Sequence, residues 1–440
     1  MGTRGPPVID SLGSMVLALL DGPPVGPEPE LPVVLQIDPL SPGADESWAH
    51  FKDRVGGRLG RQTDLLRDRI GVGDVRELYA GNALAATLTA GQVTAVMDDP
   101  DIAIAFAELD PLLPVVLMNE VVGDVEAAGF RMAGSELTGG GLTGAGVTVA
   151  VLDTGIDRRH PALTVAHSVE TCGESSDIPG GHGTHCAGII ASTDPAAPGI
   201  APGVNLIDVK VLRANGTGRH TAITAGVDRA LDLSADILSI SLGFNHLPVR
   251  VAGGHGWTCV DGACPLCTAV DNAALEGALV VVAAGNEHQR CERARAAGDG
   301  LAYDTELTCP GQARGALTVG AVHKATRAPA VFSSNGPTAY DMAKPDLVAP
   351  GVDVRSTIPG PRDATGRAVP GAPPLLFGVR SGTSAAAPVV AGACALLIES
   401  ARRSGNADDP GSIRRRLLDT CVERIGGPAN VVGAGRLRLS

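Results

Sequence analysis

Five segments of the chain, VTVAVLD (147–153), VNLIDVKVL (204–212), DILSISLG (236–243), ALVVVAAGN (278–286) and ALTVGAV (316–322), are short, rich in β-branched residues and almost continuously apolar. A run that is apolar at both odd and even positions has no wet face, so these segments are predicted to be strands buried on both sides. Between them, TAITAGVDRALDL (221–233) and AVDNAALEG (269–277) carry apolar residues at helical spacing. Strand and helix in alternation predict an α/β fold, a doubly wound, mainly parallel sheet with helices on both faces. A longer apolar run, SGTSAAAPVVAGACALLI, starts at Ser381 and is long enough for a buried helix.

The first part of the chain has a different pattern. Residues 1–31 are rich in Pro and Gly and read as a leader. VVLQID, from Val33, is strand-like, residues 44–70 carry charges at helical spacing, and ELYAGNALAATL (77–88) reads as one further strand-like run. Thr89 followed by Gln92 is a capping box, with Leu88 and Val93 as its hydrophobic staple, so a helix is predicted over 90–98 and a strand in DIAIAFAELD (101–110). The expected organisation is a leader (1–31), a small α+β ferredoxin-like domain (32–118) and the large α/β domain (119–440), which the glycine-rich TGGGLTGAG (138–146) joins to what precedes it.

Composition narrows the function. The 440 residues are 44% hydrophobic, 19% charged and 2% aromatic, so the interior is built from Ala, Val, Leu and Ile. A net charge of −13 argues against a nucleic-acid or anionic-membrane partner, both of which need a basic surface. No stretch reads as a membrane span, and MVLALL (15–20) is shorter than a secretory apolar core and lacks a basic run before it. Five of the nine cysteines, Cys259, Cys264, Cys267, Cys291 and Cys309, fall in two loop-like segments. Disulfides are expected there, with Cys291 to Cys309 the most natural pair; the alternative is zinc on Cys259, Cys264 and Cys267 with Cys291 or His288. Disulfides would mean an oxidising, extracellular compartment, whereas the weak export signal makes the cytoplasm the default.

GGHGTHCAG (180–188) sets His182, His185 and Cys186 close together, which could serve a metal, a redox couple or a single catalytic base. The helical zinc motif spaces its histidines four apart with a Glu between them, and that Glu is missing. Elsewhere, one predicted strand closes on Asp153, another runs into Asn286, and Ser384 stands at the head of the long apolar run. A serine hydroxyl becomes a nucleophile when an imidazole removes its proton, and the imidazole needs a carboxylate to set its tautomer. Asp153, His182 and Ser384 supply that set in the chain order of subtilisin.

Residues 135–440 resemble the subtilisin-like serine proteases, the subtilases: VTVAVLDTGID resembles the aspartate block, GGHGTHCAGI the histidine block, SISLG a substrate-binding edge, VVAAGNE the oxyanion block and SGTSAAAP the serine block. PGSIRRRLLDTC and VVGAGRLRL are similar to the family's closing helix and tail. The resemblance implies a serine endopeptidase in which Ser384 attacks, His182 carries the proton, Asp153 orients His182 and Asn286 donates to the oxyanion. It implies that the backbone around Ser239, Ser241, Leu242 and Gly243, and around Ala283, Ala284 and Gly285, pairs with an extended polypeptide substrate. Residues 33–110 resemble the family's inhibitory propeptide, so the N-terminal domain is expected to inhibit its own active site, with the tail after Asp110 in the cleft and Leu113, Leu117 or Met118 at the cut. His185 is expected to be scaffold, and Cys186 a small buried residue that confers sensitivity to thiol reagents. The protein is expected to act as a monomer, with no required cofactor and no assigned metal ligand. Calcium is compatible with the family, but Ala162 stands where a calcium-binding acid is often found and TDPAAPG is short, which counts against the strongest site. The rival reading, a catalytically silent peptide binder, is disfavoured by the complete triad.

Overall fold

The computed structural model describes residues 30–110, 113–114, 119–120, 141–245, 248–251, 254–257, 259, 261–297, 305–363, 365, 367, 369 and 377–438. The leader as far as residue 29 therefore lies outside the described residues, as do Leu117 and Met118.

The N-terminal unit is built as β1 (Glu30–Gln36), α1 (Trp48–Ile70), β2 (Val75–Leu78), β3 (Ala83–Thr89), α2 (Ala90–Asp98) and β4 (Phe106–Leu109). Its antiparallel sheet has the order β2-β3-β1-β4. The Thr89 box forms as expected, with Thr89 Oγ1 accepting from Gln92 N and Gln92 Oε1 accepting from Thr89 N. ELYAGNALAATL is two strands and not one: the chain turns at Tyr79–Asn82, where Asn82 takes a φ of 50° and donates its backbone N–H to Tyr79 O. Asn tolerates that left-handed conformation better than most residues, a local signal that the apolar run conceals.

The large body contains β7 (Thr148–Asp153), β8 (Val165–Glu170), α3 (Gly181–Ala191), β9 (Asn205–Lys210), β10 (Thr217–Gly218), α4 (His220–Asp232), β11 (Ile237–Ile240), a hairpin of β12 (Pro248–Val251) and β13 (Gly254–Trp257), α5 (Pro265–Leu275), β14 (Leu279–Ala283), α6 (His288–Ala297), β15 (Leu317–Val322), β16 (Leu347–Pro350), β17 (Val354–Thr357), β18 (Phe377–Ser381), α7 (Thr383–Ser404), α8 (Pro410–Thr420), β19 (Val422–Glu423), α9 (Ala429–Val432) and β20 (Arg436–Leu437). Two short strands, β5 (Leu113–Pro114) and β6 (Asn119–Glu120), link the two parts. Nine strands form one sheet in the order β19-β20-β16-β15-β14-β11-β7-β9-β8, parallel except for the β19–β20 pair.

The two-sided apolar pattern is explained by this layering. Val149 and Val151 face a core formed with α3, α7 and α8, while Ala150 and Leu152, one residue out of phase, face a second core formed with α4 and α5. Period-two alternation with both faces covered is what a doubly wound sheet demands. Among the described residues, α7 is the one helix long and apolar enough to cross a bilayer, and it is buried inside the first core.

The N-terminal sheet is likewise covered on both faces. Val33 and Leu35 point to its own helices, and Val34 points the other way, against Ala225 of α4. Asp228 accepts from the backbone N–H groups of Tyr79 (3.0 Å) and Ala80 (2.7 Å), and Asn272 Nδ2 donates to Ala80 O (2.7 Å). Gln36 Nε2 donates to Thr268 Oγ1 (3.0 Å), and Lys52 pairs with Asp232 (2.8 Å). From this platform the chain runs on as β5, antiparallel to β10, and then β6, antiparallel to β18.

Candidate active site

In this strand order β7 is followed by strands on one side and, from β11 onward, on the other. The crevice beyond the carboxyl ends of β7 and β11 is therefore the switch point where doubly wound sheets place their sites. Asp153 is the last residue of β7 and is fully buried. His182 sits in the first turn of α3 and turns Nδ1 toward Asp153, 2.8 Å from both carboxylate oxygens. The helix comes this close because residue 183 is glycine, since a Cβ there would lie 2.6 Å from Gly155 O and 3.1 Å from the Asp153 Cβ. Thr154 anchors the turn through Oγ1, which accepts from Gly183 N at 2.9 Å. His182 Nε2 is buried and, among the described residues, has no hydrogen-bond partner. A carboxylate on Nδ1 fixes the proton there and leaves Nε2 as an acceptor, the state a general base requires.

Ser384 lies in the first turn of α7, which packs directly on α3. Pro388, four residues on, has no N–H, so the Ser384 carbonyl loses its ordinary helical donor. Cys186 replaces that donor: its Sγ lies 3.4 Å from Ser384 O and 3.8 Å from His182 Nδ1, which joins the histidine helix to the serine helix. Burial pushes the Cys186 thiol well above its ordinary range, and the side chain has no exposed surface. A sulfur so placed offers a bulky thiol reagent no surface in the folded protein. His185 is held at Nε2 by Val354 O (3.0 Å), and burial depresses its pKa to about 3, so it is a neutral packing residue.

Asn286 follows β14. Its Oδ1 accepts from the N–H (2.9 Å) and the hydroxyl (3.1 Å) of Thr383, so the donor end of the amide is oriented by the residue that precedes Ser384. The chain turns into this position at Gly285, whose φ of 112° favours glycine and whose N–H donates to Thr383 Oγ1 at 3.1 Å.

The expected substrate-binding residues divide. Ser241, Leu242 and Gly243 emerge beyond the end of β11, whereas Ala283 is the last residue of β14, where it pairs with Val319 of β15. Ser239 does not emerge: it lies within β11, opposite Val151 on one side and Val281 on the other, so its backbone belongs to the sheet. Ala284 and Gly285 are also committed: the Ala284 N–H donates to Val319 O (2.9 Å) and its carbonyl accepts from Thr308 N (3.1 Å), while the Gly285 N–H donates to Thr383 Oγ1 (3.1 Å) and its carbonyl accepts from Ser334 N (3.0 Å). The family blocks SISLG and VVAAGNE each run from the sheet into the segment beyond it, so the resemblance alone does not separate residues that serve the sheet from those that emerge. An edge that the sequence reading missed is Thr217–Gly218 of β10, which takes Leu113–Pro114 as an added antiparallel strand. The NGTG turn before α4 was its local signal.

The sequence profile of the subtilase family matches residues 144–435. The chain belongs to the subtilase family. It is 36% identical over 305 residues to the intracellular serine protease of Paenibacillus polymyxa, covering 66% of this chain and 78% of the relative. It is 32% identical over 347 residues to subtilisin E of Bacillus subtilis (strain 168), covering 78% and 76%, and 35% identical over 260 residues to the major intracellular serine protease of the same organism, covering 57% and 67%. This subtilase is a serine endopeptidase that acts on polypeptides.

One expectation fails in this subtilase: all nine cysteines are free. Cys291 does not meet Cys309. Instead Cys309 joins Cys259, Cys264 and Cys267, whose Sγ atoms all lie within 4.8 Å of one another, while Cys291 stands apart on α6. The pairing was misjudged because Phe244 and Cys309 bind each other in an antiparallel bridge, a tertiary contact that carries Cys309 across to the other three.

Proposed function

We propose that Ser384 is the nucleophile, His182 Nε2 the base that takes and returns its proton, Asp153 the carboxylate that holds the imidazole, and Asn286 with the backbone N–H of Ser384 the oxyanion donors. The observation that carries this reading is the paired contact of His182 Nδ1 with both Asp153 oxygens at 2.8 Å, which leaves Nε2 without a partner among the described residues and beside the helix that bears Ser384. Attack on the scissile carbonyl places negative charge on its oxygen, and the Asn286 amide, already turned by Thr383, meets that charge without reorganising. Each of these groups is a side chain or amide of this chain, so the proposed steps draw on no cofactor. Hydrolysis of an extended peptide by the processed protein tests the assignment. Ser384→Ala and His182→Ala are each expected to abolish turnover while the fold is retained, and a Ser384→Ala protein that still cleaves at the parental rate would refute it.

The N-terminal unit acts, in this reading, as the intramolecular inhibitor. It rests on α4 and α5, and its tail is carried past β10 on one side and β18, just before Ser384, on the other. Bound as a strand, the tail occupies the edges a substrate would use. Leu113 pairs with Gly218 and so precedes the crossing. Leu117 and Met118 fall between the two paired segments and are the proposed residues at the cut.

A further inference from the structure

We propose that Cys259, Cys264, Cys267 and Cys309 bind one zinc ion as a closed tetrathiolate that braces the substrate-binding wall. Four cysteines from two segments far apart in the chain converge on one point, each at most 1% exposed. A tetrahedral zinc with Zn–S bonds of about 2.3 Å spaces its sulfurs about 3.8 Å apart. The sulfurs are 3.7 Å apart for Cys259–Cys267, 3.7 Å for Cys259–Cys309 and 3.4 Å for Cys264–Cys309. Cys267–Cys309, at 2.9 Å, would open by about 0.9 Å to reach that spacing and is longer than a disulfide bond of about 2.05 Å. All sulfurs lie within 4.8 Å of one another, the scale of a single metal ion and not of an iron–sulfur cluster. With four thiolates the shell has no open position, so the ion is structural.

The surroundings suit the charge. On binding, the four thiols release their protons to solvent and leave a net charge of −2 on the site. Cys264 caps the N-terminus of α5, which has Pro265 in its first turn, and its Sγ accepts from Cys267 N at 3.5 Å. The positive end of that helix faces the sulfurs. His220 Nε2 lies 3.8 Å from Cys264 Sγ and its Nδ1 3.3 Å from Glu108 Oε1, which places an imidazole N–H within reach of the sulfur and a carboxylate behind it. Sequence spacing alone did not assemble this set, because Cys309 lies 42 residues beyond Cys267.

The site is built into the wall of the cleft. Cys309 and Phe244 exchange backbone hydrogen bonds of 2.9 and 2.8 Å immediately after Gly243, and Thr308 donates to Ala284 O at 3.1 Å just before Gly285 and Asn286. A Cβ at Gly243 would collide with Thr308, so the two edges and the 308–309 segment form one packed unit. An ion holding Cys309 to α5 therefore fixes the separation of the strands that grip the substrate.

The test uses the full chain carrying Ser384→Ala, so that self-cleavage does not intervene, produced with zinc and without a metal-binding tag. Mass-spectrometric metal analysis is expected to find stoichiometric zinc that survives dialysis, and cobalt exchanged into the site is expected to show the absorption of a tetrahedral thiolate complex. Cys309→Ser is expected to lose the zinc and Cys291→Ser to keep it. Should Cys309→Ser fail to fold, stoichiometry and the cobalt spectrum of the parent decide. Metal-free protein with all four thiols titrating, iron in place of zinc, or a disulfide among the four in non-reducing peptide maps would each overturn the assignment.

Discussion

The turn at Tyr79–Asn82 enters the large body at one carboxylate, and removing it gives a sharp prediction. In Asp228→Ala the N–H groups of Tyr79 and Ala80 lose their acceptor. A buried amide left unpaired costs about 1–3 kcal/mol, so the pair costs about 2–6 kcal/mol. At about 1.4 kcal/mol per tenfold, the lower figure is roughly a 30-fold shift toward undocking of the N-terminal unit. The assay is hydrogen exchange of these two amides in the uncut Ser384→Ala precursor, with and without Asp228→Ala. Burial outweighs the two N–H donors and raises the Asp228 carboxyl to about 7, with Lys52 lowering it and Asp232 raising it by smaller amounts. The docked carboxyl thus holds its proton more tightly than an exposed one, and docking takes up a proton. This contribution is complete below the ordinary carboxylate range and is lost as pH rises through about 7. Protection of the two amides, corrected for intrinsic exchange, should therefore fall above about pH 7 in the parent, and the variant should lack that step. Acceleration by less than about threefold would mean that something other than Asp228 holds the turn and would refute the docking argument.

Other expectations follow from the same contacts. Asn286→Ala should lower kcat with little change in KM, by about a hundredfold or more, the loss known for an oxyanion donor of subtilisin; a change confined to KM would place Asn286 outside the reaction. Cys186→Ala should cost on the order of 1 kcal/mol in denaturant unfolding, and much less in a Pro388→Ala background, where residue 388 regains the N–H that serves Ser384 O. Equal costs in both backgrounds would show that the Cys186–Ser384 bond does not compensate for the proline. Native protein should resist bulky thiol reagents at Cys186 until it unfolds, and rapid labelling with loss of activity would contradict its burial.

Most of the architecture was legible in the chain because a strand buried on both faces has to be apolar at both parities. β7, β9, β11, β14 and β15 lie within one or two residues of their predicted starts. Strand ends were less legible. DILSISLG remains apolar beyond Ile240, where the strand stops, so the pattern does not mark the strand's end, and the resemblance of SISLG to a substrate-binding edge took in Ser239, whose backbone serves the sheet. β16 was not predicted, since LVAP is too short and carries a proline. Asp153, Asn286 and Ser384 stood out where an apolar run meets a polar side chain, whereas His182, set among glycines, was singled out by the triad order and the resemblance of the blocks around it. The role of Cys186 needed the proline one turn beyond Ser384, visible in the sequence but meaningful only when two helices distant in the chain touch. The cysteine cluster was misjudged for the same reason, because the approach of residue 309 depends on its bridge to Phe244.

The central claim is that Ser384 is an activated nucleophile, and the most direct measurement is the site of covalent labelling by a fluorophosphonate on protein processed beyond residue 118. The account predicts a single adduct on Ser384, lost in His182→Ala although the serine is still present. An adduct on another residue, or no adduct on folded and processed protein, would contradict it.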